Sequence, residues 1–141
     1  MRIRLVLLGR TRRAEMRSLF DDYITRLRRF VDVEMVEFRD SKAFERRKKE
    51  PATHFILLDA DGKRPGSEDF AAWMGRERDK GIREYTFLCG DAAGFPNSVR
   101  GLAKERLSLS SFTLSHELAR VVLAEQLYRA FAILAGHPYP K

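Results

Sequence analysis

The chain has a single cysteine among its 141 residues, Cys89, which excludes an intramolecular disulfide and a multi-cysteine zinc site. Its three histidines, His54, His116 and His137, are not at metal-ligand spacings, so no metal centre is expected. No apolar run approaches the ~20 residues that a membrane span requires. The opening MRIRLVLLGR has too short an apolar core, and no small-residue cleavage site, to serve as a signal peptide. A cytoplasmic protein without membrane attachment is therefore expected. GRTRRA after the first apolar run is not GxGxxG, and GxxxxGK(S/T) is absent, which removes the dinucleotide-binding and P-loop readings. No carboxylate pair and no Ser/His/Asp set stands out. Cys89 lies inside an apolar run and reads as inert core.

What the chain does have is positive charge. It carries 27 Lys and Arg against 20 Asp and Glu, a formal net charge of +7. Residues 1–50 hold 15 basic and 9 acidic side chains, so nearly all the excess is N-terminal. It gathers at Arg10, Arg12, Arg13 and Arg17, at Arg26, Arg28 and Arg29, and at Arg46, Arg47, Lys48 and Lys49. A localised basic region is the footprint of a polyanion binder, although solvated helix faces produce charge runs too. With 44% hydrophobic and 33% charged residues the chain is not disordered, and its length suits one domain, residues 1–141.

Apolar runs and amphipathic segments alternate. IRLVLLG (3–9), VDVEMVEF (31–38), HFILLDA (54–60), YTFLCG (85–90) and RLSLS (106–110) read as strands. Helices are expected over 14–30, 41–50, from Ser67 as cap through about Lys80, over 98–105, and from about Ser115 to Ala135, with His116 as a capping residue. DGKRPGS and DAAGFPN read as loops. Strands separated by helices predict an α/β fold with a mostly parallel sheet, whose ligands bind beyond the C-terminal strand ends. The last helix is apolar around most of its circumference, more than one sheet face can cover, which predicts a second partner, most simply the same helix of another subunit, with burial inside its own domain as the alternative.

Three segments in this order carry specific information: LLDADGK (57–63), CGDAAG (89–94) and LSLSSFTLSHELARVVLAEQLYRAFAILAGHPY (107–139). With them the whole chain resembles the small SPOUT-class (α/β-knot) enzymes that methylate N3 of a pseudouridine in large-subunit (23S) ribosomal RNA. The resemblance implies a C-terminal deep trefoil knot, S-adenosylmethionine as cofactor, a homodimer, and the assembled ribosome as partner. It assigns the methyl-donor contacts to Leu58, Gly90 and the loop Leu109, Ser110, Ser111, Phe112, Thr113 and Leu114. A sulfonium with an adenine needs backbone groups and an apolar wall rather than a phosphate loop, and these strand-end residues supply both. Ordinary core packing is the competing role for Leu58 and Leu114.

Removal of the N3 imide proton calls for a nearby cation or hydrogen-bond donor to stabilise the resulting anion. Arg120, Arg129, Tyr139 and Lys141 are the catalytic candidates, with His137 behind them; Arg129 has a competing role as the i+4 partner of Glu125. Arg26, Arg28 and Arg29 are the candidate RNA contacts, holding phosphates rather than reading bases. Two positions depart from the family pattern. Asp91 stands where a second glycine is common, and Pro140 where the tail commonly has His. They keep open a ribosome-binding relative without catalysis, and a SPOUT enzyme acting on another RNA such as tRNA is the other alternative.

Overall fold

The computed structural model describes residues 1–47 and 54–139. Five parallel strands form one sheet in the order β2-β1-β4-β3-β5. They are β1 (Arg2–Leu8), β2 (Asp32–Phe38), β3 (Phe55–Lys63), β4 (Glu84–Cys89) and β5 (Glu105–Leu107). The connecting helices are α1 (Ala14–Leu27), α2 (Ser41–Arg47), α3 (Ser67–Asp79), α4 (Asn97–Arg100) and α5 (His116–Leu134). Parallel strands buried on both faces read as continuous apolar runs, because neither side alternates with solvent.

The two-residue period of β1 divides the core. Ile3, Leu5 and Leu7 face a large cluster with Phe20, Ile24 and Leu27 of α1, Phe70 and Met74 of α3, and Leu123, Leu127 and Phe131 of α5. Val6 and Leu8 face a smaller cluster with Phe44, Leu57, Leu88 and Val99 under α2 and α4. Each fully buried Leu, Ile or Phe is worth about 1.5–3 kcal/mol of transfer free energy, so the sheet is held from both sides.

The last helix needs a different explanation from the one its sequence suggested. α5 packs against the sheet and against both α1 and α3, so its own chain covers most of its apolar circumference. The approach to α3 is close: a Cβ on Gly75 would lie 2.8 Å from Leu134 Cδ2. The apolar side chains left outside include Leu118 on α5 and Leu19 on α1. A single sheet face indeed cannot cover this helix, but two neighbouring helices of the same chain help to do so.

Several boundaries move. α1 ends at Leu27 rather than at residue 30, and the second helix is described to Arg47, with 48–50 outside the described residues. β3 continues to Lys63 through residues expected to be a loop, because Lys63 pairs with Leu107 beyond a bulge and Ser108 N donates to Lys63 O at 2.7 Å. Ser67 does not cap α3; Gly66 occupies the cap position and Ser67 Oγ lies 2.6 Å from Gln126 Oε1. Ser115, not His116, caps α5, accepting from Leu118 N at 3.2 Å. α4 and β5 are shorter than their apolar patterns suggested. His54 is structural, stacked on Tyr85 at 5.4 Å, and desolvation holds its pKa below the usual value.

Candidate methyl-donor site

The bulged middle of β3 and the C-terminal ends of β4 and β5 enclose a cavity of about 260 Å³. Its walls come from Leu58–Ala60, Cys89–Ala92, Gly94–Phe95, Arg100, the stretch Leu107–Ser110 with Phe112–Leu114, and the first turn of α5 through His116 and Ala119. The volume approaches the ~300–1,000 Å³ typical of small-molecule pockets, and strand ends in a parallel sheet are where such pockets form.

Each wall has a local cause. Leu58 begins the bulge that lets β3 run on to Lys63. Gly90 follows β4 and lies beneath the ring of Phe95, where a Cβ would approach Phe95 Cζ to 3.0 Å. Asp91 Oδ1 accepts from Ala93 N at 2.9 Å and Gly94 takes a positive φ of 79°, closing a tight turn over the cavity. The 108–112 loop shapes itself: Ser108 Oγ bonds Ser110 O at 3.0 Å, and Phe112 N donates to Ser110 Oγ at 2.9 Å. Phe112 is left 83% exposed at the mouth. Asp59 accepts from Arg100 at 3.0 Å, which ties the β3 end to α4.

Beneath the rim lies Arg120, 1% exposed. Its guanidinium donates to Leu8 O at 2.8 Å, Gly9 O at 3.1 Å, Thr11 Oγ1 at 3.0 Å and Gly90 O at 3.2 Å. It therefore joins the ends of β1 and β4 to α5. Neighbouring Glu117 accepts from Arg12 N and Arg13 N, both at 3.0 Å, and these two backbone donors hold its pKa below the usual carboxylate value.

Of the residues expected at the donor, Leu58, Gly90, Leu109, Ser110, Phe112, Thr113 and Leu114 line this cavity, while Ser111 does not. Arg120 lies against the backbone under it rather than in its lining. Arg129 and Tyr139 are elsewhere. Ten residues of α5 separate Ala119 from Arg129, about 15 Å of helix. There Glu125 gathers Arg129 Nη2 at 2.9 Å, Tyr139 Oη at 3.0 Å and Gln126 Nε2 at 2.7 Å. The Arg129 guanidinium lies 5.5 Å from the centre of the Tyr139 ring. Lys141 falls outside the described residues.

Arg26, Arg28 and Arg29 lie at the end of α1, at the opposite edge of the sheet, where Arg28 shares a hollow with Arg2 and Asp32. Phe95, Arg100, His116 and Ala119 line the cavity without having been expected there, whereas Asp59 lies in the LLDADGK segment that the strand-end rule singled out. Among the described residues no group of three or more His, Cys, Asp or Glu could hold a metal, and no helix is long and apolar enough to cross a membrane.

A strand-end cavity with an apolar wall, turn backbone and no phosphate loop limits the choice of family. Residues 1–140 match the family described as "Predicted SPOUT methyltransferase". The chain belongs to the SPOUT methyltransferases. This methyltransferase is 39% identical over 142 residues to the ribosomal RNA large subunit methyltransferase H of Koribacter versatilis, covering 99% of this chain and 97% of that one. It is 38% identical over 151 residues to the protein of the same name from Gloeobacter violaceus, covering 99% and 98%. Its fold is shared with a probable methyltransferase from Bordetella pertussis Tohama I, with a TM-score of 0.58, 15% identity, and coverage of 92% and 93%. A probable methylase family protein from Haemophilus influenzae Rd KW20 gives a TM-score of 0.61 and 11% identity over 99% of this chain and 70% of that one.

Proposed function

We propose that this methyltransferase transfers a methyl group from S-adenosylmethionine to N3 of a pseudouridine in 23S ribosomal RNA, acting in the cytoplasm on the assembled ribosome as a homodimer. The observation that carries the reading is the strand-end cavity. Leu58, Leu109 and Leu114 offer an apolar wall for an adenine. The turn backbone at 89–94 and 108–114 offers donors and acceptors for its edge and for a ribose. Asp91 is a lining residue whose carboxylate accepts from Ala93 N, and a negative charge beside the cavity is a favourable neighbour for a sulfonium. Bound there, the cofactor supplies an activated methyl on a cationic sulfur.

The chain's own work is then alignment and management of the imide proton. Arg120 fixes Gly90 and Gly9 and is a positioning residue in this reading. Tyr139 keeps its phenolic proton well above neutral pH, because burial and then its hydrogen bond to Glu125 raise its pKa. Its one hydroxyl proton is donated to Glu125, so it reaches a nucleobase carbonyl only by leaving that carboxylate, and it does not serve as the base. Arg129 brings the positive charge that a developing imide anion requires.

A homodimer resolves the distance problem. One chain has its cavity at one end of α5, and its Glu125–Arg129–Tyr139 cluster about 15 Å along that helix. Arg26, Arg28 and Arg29 lie at the same far edge as the tail, where Phe30 packs on His137 at 5.7 Å. A second copy whose tail meets the first copy's cavity would assemble donor, catalytic groups and RNA cations in one place. The return of α5 from the β5 edge to lie against α1 and α3 supports the knotted path that goes with this reading.

The test is tritiated-methyl transfer to intact ribosomes, isolated subunits and naked rRNA from a strain lacking the gene. Incorporation into 23S rRNA of ribosomes is the expected result. Cofactor binding without transfer to any of the three would point to another RNA. Absence of binding would favour a non-catalytic ribosome-binding protein.

A further inference from the structure

The loop between β1 and α1, residues 9–13, is built with more care than a connection needs. Gly9 N donates to Phe38 O at 2.8 Å, and Gly9 O accepts from Arg120. Thr11, itself buried, accepts from Arg120 Nη1 at its hydroxyl oxygen and from Arg17 Nη2 at its carbonyl, the latter at 2.8 Å. Arg12 N and Arg13 N point into the carboxylate of Glu117, which is only 8% exposed. α1 has no side-chain cap of its own, so Glu117 reaches across from α5 to fix the residues that lead into it.

The loop thus pinned carries three exposed cations, Arg10, Arg12 and Arg13. Arg13 reaches Glu15 only at 4.0 Å, and among the described residues neither Arg10 nor Arg12 has an ion-pair partner. The loop also adjoins the cavity: a Cβ on Gly9 would lie 3.2 Å from Asp91 Cβ, and Asp91 is on the lining. Arg26, by contrast, is paired with Asp22 at 3.4 Å, and Arg28 Nη2 contacts Val33 O at 3.4 Å, at the opposite edge of the sheet.

We infer that Arg10, Arg12 and Arg13 form a phosphate clamp that holds the RNA backbone beside the donor cavity, with Glu117 as the residue that positions it. The inference rests on the reading of the chain as an RNA methyltransferase. Exposed guanidiniums on a backbone already fixed lose less freedom on engaging phosphates than the same cations on a loose loop. Anchoring the loop to α5, whose first turn lines the cavity, ties the RNA register to the position of the methyl donor. Phosphate contacts of this kind set register and orientation without reading sequence.

The experiment compares wild type, the triple variant R10Q/R12Q/R13Q and Glu117→Gln for KM and kcat on ribosomes across a salt series, with cofactor affinity by calorimetry. The triple variant is expected to raise the ribosome KM roughly tenfold or more and to flatten the log–log salt dependence by about one unit per lost contact, with cofactor affinity unchanged. Glu117→Gln discriminates by sign. It removes a negative charge beside a polyanion site, so a merely electrostatic surface would bind RNA more tightly. A positioning role instead predicts a KM severalfold higher with kcat at saturating ribosomes largely kept. Unchanged KM and salt slope in the triple variant, with cofactor binding intact, or a lowered KM in Glu117→Gln, would overturn the inference. Failure of wild type itself to transfer methyl to any RNA sinks the functional reading instead, and that result is visible before either variant is compared.

Discussion

Arg120 Nη2 donates to the carbonyl oxygen of Gly90 at 3.2 Å, so a buried guanidinium on α5 holds the backbone of the strand-end cavity from below. The same group holds Leu8 O and Gly9 O, and so couples two strand ends that no other side chain links in this way among the described residues. Replacing Arg120 with Met leaves three carbonyls without this donor, at about 1 kcal/mol or more each. A destabilisation of about 3 kcal/mol is expected in urea denaturation. Lys keeps the charge but not the planar fork, so Arg120→Lys should recover little of it. A variant that remains as stable as wild type but loses methyl transfer would show that Arg120 works on the RNA rather than on the backbone.

Gly62 sits in the bulge by which β3 returns to pair with β5. A Cβ there would lie 2.5 Å from Arg106 C and 2.7 Å from Leu107 N, contacts with backbone that cannot turn aside. Gly62→Ala must separate the strands at the edge that carries Leu58 and Asp59. About 2 kcal/mol of stability, or roughly 7 °C in Tm, is the expected loss, with weakened cofactor binding. Calorimetric melting checks it, and an unchanged Tm would mean that the bulge yields without cost.

Asp91 is a lining residue and brings a negative charge to the rim of the cavity, its Oδ1 accepting from Ala93 N. S-adenosylmethionine is cationic at sulfur and its demethylated product, S-adenosylhomocysteine, is not, so a carboxylate near the cavity favours donor over product. Through mixed protein and solvent dielectric the difference is about 1 kcal/mol. Asp91→Gly should therefore reduce the ratio of donor to product affinity roughly fivefold, measured by calorimetry with both ligands. An unchanged ratio would place Asp91 in the turn alone, as the acceptor for Ala93 N.

Much of this was legible in the sequence, for identifiable reasons. Strands such as 3–8 and 85–89 are apolar on both faces, and that pattern is local. The continuation of β3 to Lys63 was not legible, because DGK has the composition of a turn and becomes strand only by pairing with Leu107, 44 positions away. The coverage of α5 depends on α1 and α3, which approach it only in the folded chain. Glu117 gave no sign of its role. An acidic residue in a helix's first turn suits the helix dipole, and nothing in the spacing shows that it accepts from Arg12 and Arg13, more than a hundred positions earlier. The donor residues from Leu109 to Leu114 came from resemblance, since core packing explains Leu114 equally well in isolation.

Tyr139 and Arg129 converge on Glu125, and two measurements separate what they do for the fold from what they do for the reaction. Burial raises the Tyr139 phenol above its ordinary value, and Glu125 adds to the shift. A group whose folded pKa is raised contributes stability below its unfolded pKa of about 10 and loses it as pH climbs toward the folded value. Wild type should therefore weaken relative to Tyr139→Phe above about pH 10 in denaturant unfolding, with no such relative change between pH 7 and 9. On the catalytic side, Tyr139→Phe removes one hydrogen-bond donor and Arg129→Ala removes a cation. Losses of about tenfold and a hundredfold or more in kcat are expected if both meet the nucleobase, with ribosome KM changed less. Full activity in both variants, in a protein whose assembly state by light scattering matches wild type, would move catalysis away from this cluster and leave Glu125, Arg129 and Tyr139 as a clasp between the tail and α5.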